Sequence, residues 1–293
     1  MDNWKQSVRI CANGFRRWTG NLRVLGVFIL ILLFFFYMER GARALCTDQD
    51  LAITPWLFQF IWERPVNVML FFLVLIILFC DAPFMDAQAP YSLIRTYRKN
   101  WVNGQCLYVI SASGIYTVFL YIASLLFCLP NLSFSTEWGR IIRMLSMPST
   151  ESFGMRYAFM GPSISPDIMA RFQPIEATLL TLLFVWLISA FLGLLILTFN
   201  LRFPRTIGVL VAVCFVFLDF FCGQFSIIQG ALGSRIYFFS PVSWCNLQHY
   251  KSGVTELPTI SYAIVVLIVL IVVLCILSNV LIKHKDIEVL PEV

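Results

Sequence analysis

The chain has few charged residues and almost no histidine. Only 13% of its 293 residues are Asp, Glu, Lys or Arg, and the two histidines are His249 and His284. Soluble domains carry about a quarter charged residues. The sequence contains no G-x-x-x-x-G-K-[ST] phosphate loop, no H-E-x-x-H zinc motif, no C-x-x-C pair and no G-x-S-x-G nucleophile elbow. We therefore expect no catalytic, cofactor-binding or metal-binding residues in this chain, and we do not expect it to be an enzyme.

The sequence is instead rich in long apolar runs. Hydrophobic residues make up 59% of the chain, with 28 Phe and 8 Trp, and the mean hydropathy is +0.82. A helix needs roughly 17 to 25 apolar residues to cross a bilayer, and an open sheet cannot do so. The pattern predicts an all-α polytopic membrane protein, forming a single transmembrane domain over residues 1–293. Six runs are candidate transmembrane helices: 22–38, 66–80, 107–129, 177–199, 207–225 and 260–282.

The distribution of Lys and Arg predicts the orientation. If the N-terminus is cytoplasmic, the inner segments hold 12 of the 21 cations, although the outer connections are longer in total. Cytoplasmic loops carry the excess of Lys and Arg in membrane proteins. We therefore expect both termini on the cytoplasmic side of the cell membrane, as an even number of spans requires.

Residues 1–20 have an amphipathic pattern of their own. Spacings of three and four place apolar residues on one helical face, while most of the cations lie elsewhere. Aromatic rings on one side and cations on the other are typical of a helix lying at a membrane surface. We predict an interfacial helix here, either as a simple surface anchor or as a contact for a partner. Its apolar stripe is Trp4, Val8, Cys11, Phe15 and Trp18.

A second amphipathic segment, "DAQAPYSLIRTYRKNWVN" at residues 86–103, joins the second and third runs. Pro90 suits a first helical turn, and Asn103-Gly104 is a typical helix stop. The pattern predicts a short cytoplasmic helix that is both basic and aromatic. On charge alone this helix fits a lipid anchor; its other role would be docking to a partner protein. The residues concerned are Tyr91, Ile94, Arg95, Tyr97, Arg98, Lys99 and Trp101.

The outer connections carry three further predictions. Residues 130–176 form a long outer loop, in which we expect a helix capped by Thr136. Residues 226–244 are apolar but interrupted by Gly and Pro, which indicates a re-entrant or interfacial pair of helices covered by protein. Cys46 and Cys245 are the cysteines placed in outer connections, and whether they pair is left open.

Asp219 lies inside the fifth run, in "VAVCFVFLDFFCG". A carboxylate within a span costs about 2.5–3.5 kcal/mol on insertion scales and is a functional candidate by default. Two roles stay open for it. It could line a substrate path, or it could serve in packing near the outer interface.

Together these features resemble the permease subunits of ABC-2-type transporters. The resemblance rests on six spans with both ends inside, on the two amphipathic segments, and on the broken apolar stretch with "FFSPVSW" at residues 238–244. It implies that residues 1–20 are the connecting helix and residues 86–103 the coupling helix, which docks on a separate ATP-binding subunit. The segment at 226–244 would then close the outer side of the path. The loop at 130–176 is longer than the short one common in that family.

The resemblance also implies a function and partners. The chain would form the translocation path of an exporter in a bacterial plasma membrane, together with a second permease copy or a related permease. ATP and Mg²⁺ would bind to the partner ATPase and no cofactor to this chain; the lipid bilayer is the remaining partner, and no nucleic acid is expected. Two alternatives remain: a non-transporting permease-like subunit, such as a sensor or immunity component, and a membrane-embedded enzyme or channel.

Overall fold

The computed structural model describes residues 3–84, 96–146, 164–229, 235–250 and 257–284. These residues form α-helices joined by short 3₁₀ turns, and no β-strand occurs among them. The α-helices are α1 (Asn3–Arg16), α2 (Leu22–Met38), α3 (Arg40–Gln49), α4 (Phe58–Ile61), α5 (Pro65–Phe79), α6 (Arg98–Cys128), α7 (Arg140–Ser146), α8 (Pro166–Arg171), α9 (Pro174–Arg202), α10 (Arg205–Gln229) and α11 (Ile260–Leu281).

Each of the six predicted apolar runs is helical, but the helices differ in length. Four of them, α6, α9, α10 and α11, are long and apolar enough to cross a membrane. Helix α2 reaches that length only together with α3, from which it is bent by 44°. Helix α5 is apolar but has only 15 residues. The all-helical class is therefore confirmed, with four or five candidate membrane-spanning helices in the described residues, while six spans and their topology stay a prediction.

Helix α9 is the centre of the bundle. Inside its apolar stretch 67% of the residues are buried, against 17% in α11, so α9 is surrounded by protein while α11 is at the periphery. It packs on α6, α10 and α11 and, over a shorter length, on α5. The hydroxyl groups of Thr198 on α9 and Ser278 on α11 lie 2.8 Å apart in a buried hydrogen bond. Such polar contacts join helices in lipid, where apolar side chains gain nothing from leaving the solvent.

The predicted cytoplasmic helix and the third predicted span are not separated at Asn103-Gly104. Asn103-Gly104 was predicted to end a short basic helix, but α6 runs without a break from Arg98 to Cys128. Glycine is tolerated here because α1 crosses α6 at this point. A Cβ atom on Gly104 would lie 2.7 Å from the Cβ atom of Ile10 and 2.9 Å from the carbonyl oxygen of Ser7. The absence of a side chain lets the two backbones approach.

At the opposite end of the bundle the predicted loop helix exists, but it starts later than expected. Thr136 does not cap it, because α7 begins at Arg140 after Gly139, which has a φ of +76°. Ile141 and Ile142 of this helix are fully buried. Trp138 is buried as well, and its carbonyl oxygen accepts a hydrogen bond of 2.8 Å from Thr54. Residues 147–163 of this loop lie outside the described residues.

The described part of the segment before the last helix contains the end of α10 and 3₁₀ helices; residues 230–234, in the middle of the predicted re-entrant or interfacial pair, lie outside the described residues, and that pair stays a prediction. Residues 226–229 continue α10, and the described chain then folds into three 3₁₀ turns: Arg235–Phe239, Pro241–Cys245 and Leu247–His249. All five residues of the second turn are buried, and this turn packs against α9, α10, α5 and α11. The non-α-helical backbone of this turn is thus covered by protein, as is required of irregular backbone at membrane depth. Cys46 and Cys245 are both free thiols and do not pair.

Candidate functional site

The described part of the predicted coupling helix is the first turn of α6. Tyr97 precedes the helix in an extended conformation and its side chain is 76% exposed. Arg98 and Lys99 are exposed as well, whereas Trp101 is only 2% exposed. Trp101 was expected to be a docking anchor, but its ring is buried within this chain and is not available to a partner. Tyr91, Ile94 and Arg95 lie outside the described residues.

Helix α1 packs beside this turn, and the residues of its predicted apolar stripe differ in exposure. Trp4 is 65% exposed and Val8 43% exposed, although both belong to the apolar stripe. The buried residues are Ser7 and Cys11. Phe15 and Trp18 are half-buried instead, further along the same stripe. The aromatic stripe is therefore split, with its first half turned away from the protein.

Tyr108 on α6 holds the second half of the stripe. Its hydroxyl accepts a hydrogen bond of 2.8 Å from the indole nitrogen of Trp18, and its ring centroid lies 5.0 Å from that of Phe15. Gly14 makes room for this ring, because a Cβ atom there would lie 2.5 Å from it. Aromatic pairs at such distances are favourable beyond the area they bury. These contacts anchor the C-terminal half of α1.

A buried polar cluster fixes the N-terminal half of α1. The side-chain amide of Asn100 donates to Asn3 Oδ1 at 3.1 Å and to Gln6 Oε1 at 2.8 Å. The hydroxyl of Ser7 donates to the Asn100 carbonyl oxygen at 3.0 Å. Asn100 is only 5% exposed, so its polar groups depend on these bonds. The sequence shows no signal for this cluster, because Asn, Gln and Ser are equally common on solvated helix faces.

The polar cluster brings the two amphipathic segments together at one end of the bundle. Residues 3 to 7 contact residue 100, so the exposed face of α1 adjoins the exposed first turn of α6. Aromatic and cationic side chains predominate on the combined surface, which we call the basic-aromatic surface. It consists of Trp4, Lys5, Arg9, Tyr97, Arg98 and Lys99, all of which are exposed.

A cleft of about 140 Å³ lies between α1, α2, α5 and α6, beside the C-terminal end of α1. Arg23 and Asp81 both line the cleft and form an ion pair with each other. Arg17 donates a hydrogen bond of 3.1 Å to the carbonyl oxygen of Phe84. These contacts join the ends of α2 and α5 to the N-terminal region. The residues that line the cleft are Gly14, Arg17, Trp18, Asn21, Arg23, Val24, Leu78, Asp81, Phe84 and Tyr108.

Asp219 lies at the other end of the bundle, on α10, and is 4% exposed. It faces a small cavity of about 20 Å³ between α5, α10 and the 3₁₀ turns. No other residue in the described ranges forms a hydrogen bond with its carboxyl group. The described residues therefore provide no hydrogen-bond donor that would stabilise a charged carboxylate at this position. The cavity is lined by Trp62, Pro65, Val68, Asp219, Gly223, Tyr237, Ser243, Asn246 and His249.

Two further buried carboxyl groups were not predicted from the sequence. Glu39 is fully buried where α2 bends into α3, and the Cys128 thiol donates to it at 3.7 Å. Glu63 precedes α5 and is 6% exposed. It accepts hydrogen bonds from the Ser165 backbone at 3.2 Å and from the Gln248 side chain at 2.9 Å. Burial raises the pKa of Glu63 to about 8. Both residues follow apolar or aromatic runs, where the sequence alone suggests exposure at an interface.

No cluster of three or more His, Cys, Asp or Glu that could hold a metal ion occurs in the described ranges. No protein-family model, no curated protein and no solved structure matches this chain.

Proposed function

We propose that the chain is the permease subunit of an ATP-binding cassette exporter of the ABC-2 type. The observation that carries this proposal is the basic-aromatic surface, on which the N-terminal helix and the start of α6 present aromatic rings and cations together at one end of an apolar bundle. The sequence has no phosphate loop of its own. A separate ATPase subunit that docks on this surface would supply the energy for transport.

The residues on the surface suit a protein partner. Tyr97 and Trp4 are large, stiff anchors, and aromatic and Arg side chains are the most frequent hot spots of protein interfaces. Lys5, Arg9, Arg98 and Lys99 would pair with acidic groups on the ATPase. Since α1 is joined to α6 through Asn100, a movement of the docked ATPase would be transmitted to a helix that runs the whole depth of the bundle.

The proposal includes a second copy of the chain or a related permease, with six spans in each and all termini on the cytoplasmic side of a bacterial plasma membrane. Of the four long apolar helices, α10 and α11 are the least buried, with 28% and 17% of the residues in their apolar stretches buried. Their outward faces are available to a second permease as well as to lipid. The path between the two copies would suit a hydrophobic, amphipathic or peptide-like cargo moving outward.

The test is co-purification of the chain with its ATP-binding subunit from the membranes of its own host. We expect ATP turnover by the complex and none by the chain alone. The double substitution Arg98→Glu, Lys99→Glu should remove at least about 2 kcal/mol of docking energy, equivalent to a loss of at least about thirtyfold in affinity. Arg140→Glu, at the opposite end of the bundle, is the matched control.

A lipid anchor gives a different outcome. If the cations contact only headgroups, the double variant should retain the ATPase at wild-type strength, while its association with anionic vesicles becomes weaker. Retention of the partner would contradict the docking proposal, as would ATP turnover by the purified chain.

A further inference from the structure

The cavity beside Asp219 contains two buried polar groups that lack partners. The indole N–H of Trp62, which is 0% exposed, has no hydrogen-bond acceptor in the described part of the chain. Asp219 has no donor there either. Both residues line the same cavity. A buried donor or acceptor without a partner costs about 1–3 kcal/mol, so two of them around one space indicate a bound species that serves both.

The size of the cavity and the two groups restrict what that species can be. A space of about 20 Å³ exceeds the roughly 10–15 Å³ that one water molecule needs. A metal cation cannot accept a hydrogen bond, so it would leave the Trp62 N–H without a partner. A water molecule accepts from Trp62 and donates to a carboxylate. One water between them would therefore give the Trp62 N–H an acceptor and the Asp219 carboxylate a donor.

The wall of the cavity is held rigidly by the 3₁₀ turns. The Ser243 carbonyl oxygen can only accept, so the Nδ1 atom of His249, 3.2 Å away, carries the hydrogen of that bond. The His249 ring lies on Tyr237 with 4.0 Å between centroids. The Tyr237 carbonyl oxygen in turn accepts a hydrogen bond of 2.7 Å from Trp244. Such a wall keeps its shape when the charge on Asp219 changes.

We propose that this cavity is a proton-binding site, in which one water links the Trp62 N–H to the carboxyl group of Asp219. A proton from the aqueous phase at that end of the bundle forms one O–H bond at a carboxylate oxygen, and the charge on Asp219 changes from −1 to 0. The titratable groups that line the cavity or act on Asp219 electrostatically are Tyr237, His249, Cys222 and Cys245. The site does not depend on the proposed transport function.

A methyl group placed in the cavity tests the water. Gly223 lines the cavity, and among the described residues a Cβ atom there would meet only Pro65, at 3.6 Å, which is an ordinary contact. Gly223→Ala therefore displaces the water without a clash. We expect its thermal midpoint in nanodiscs to fall by about 2–4 °C relative to the control Gly26→Ala, whose Cβ meets nothing within 4 Å. In a dry cavity the methyl group would fill empty space and add packing contacts. A thermal midpoint of Gly223→Ala equal to or above that of the control would therefore overturn the proposal.

Infrared spectroscopy tests the proton. A titration of the full chain between about pH 5 and 9 should show a protonated-carboxyl band that is absent from Asp219→Asn. Trp62→Phe replaces the indole by a smaller aromatic ring that has no N–H, so the midpoint of that band should move by about 0.5 pH unit or more. The absence of any band that depends on Asp219 would refute the proton site, and an unchanged midpoint in Trp62→Phe would refute the water link.

Discussion

Replacing Gly104 by Ala tests whether α1 is held against α6 by close backbone contact. The added Cβ atom would lie 2.7 Å from Ile10 Cβ, 2.8 Å from Ile10 Cγ2 and 2.9 Å from the Ser7 carbonyl oxygen. These neighbours are backbone or branched at Cβ, so they cannot turn away and α1 must shift. Overpacking of this kind costs about 1–3 kcal/mol. Alanine recovers up to about 1 kcal/mol of helix propensity, which leaves a net loss of about 1–2 kcal/mol for the docking of α1.

Hydrogen–deuterium exchange of the α1 backbone is the appropriate measurement. A loss of 1–2 kcal/mol raises the undocked population by about 5 to 30 times, and amide exchange in α1 should accelerate by the same factor. Exchange in α9, at the centre of the bundle, should stay unchanged. Gly26→Ala on α2 is the control, since its Cβ meets nothing within 4 Å. Unchanged or slower exchange in α1 of the Gly104→Ala variant would show that the α1–α6 contact is not as close as described.

Three further predictions concern other parts of the bundle. Trp101→Ala should destabilise the purified chain by about 3–5 kcal/mol because its ring is buried, whereas Tyr97→Ala should stay within about 0.5 kcal/mol; equal thermal midpoints would contradict the burial. The pKa of Glu63 is about 8 in the folded protein against an ordinary 4.5. The contribution of this group to the free energy of unfolding is therefore fully present below pH 4.5, and it falls by up to about 1.4 kcal/mol per pH unit as the pH rises to 8. Glu63→Gln should flatten that part of the curve of thermal midpoint against pH, and an unchanged slope would refute this origin. Ser278→Ala should cost about 0.6 kcal/mol by removing the bond to Thr198, and equal denaturation midpoints would argue against that bond.

The apolar runs were predictable because their signal is local. A helix in lipid must satisfy its own backbone hydrogen bonds, so a long apolar run has one regular solution. The first run was predicted at 22–38, the residues of α2. The second, at 66–80, differs from α5 by one residue at each end. The ends of α6, α9 and α10 were predicted less well, since these helices extend into polar sequence that other elements cover.

The contact between α1 and α6 could not be predicted from the sequence at either of its two sides. Gly104 resembles a helix stop when only the local cost of glycine is considered, but a crossing helix requires it as a site of close approach. On α1, the buried residues are Cys11, which belongs to the predicted stripe, and Ser7, which does not, while Trp4 and Val8 of the stripe stay exposed. Small residues let helices come together more closely than aromatic ones do. Which face packs therefore depends on the partner helix, and that partner is distant in the sequence.

Composition and periodicity by themselves determined that this chain is a helical membrane protein, where most of its helices lie, and that Asp219 is an unusual charge within a span. These properties depend on each segment and its solvent alone. The tertiary structure decided that α1 joins α6 through Asn100, that Trp101 is buried, and that Glu39 and Glu63 lie inside the protein. It also placed Trp62 beside Asp219, residues that are far apart in the chain. Such outcomes depend on pairs of segments, because the burial or hydrogen bonding of a side chain is set by whichever helix packs against it.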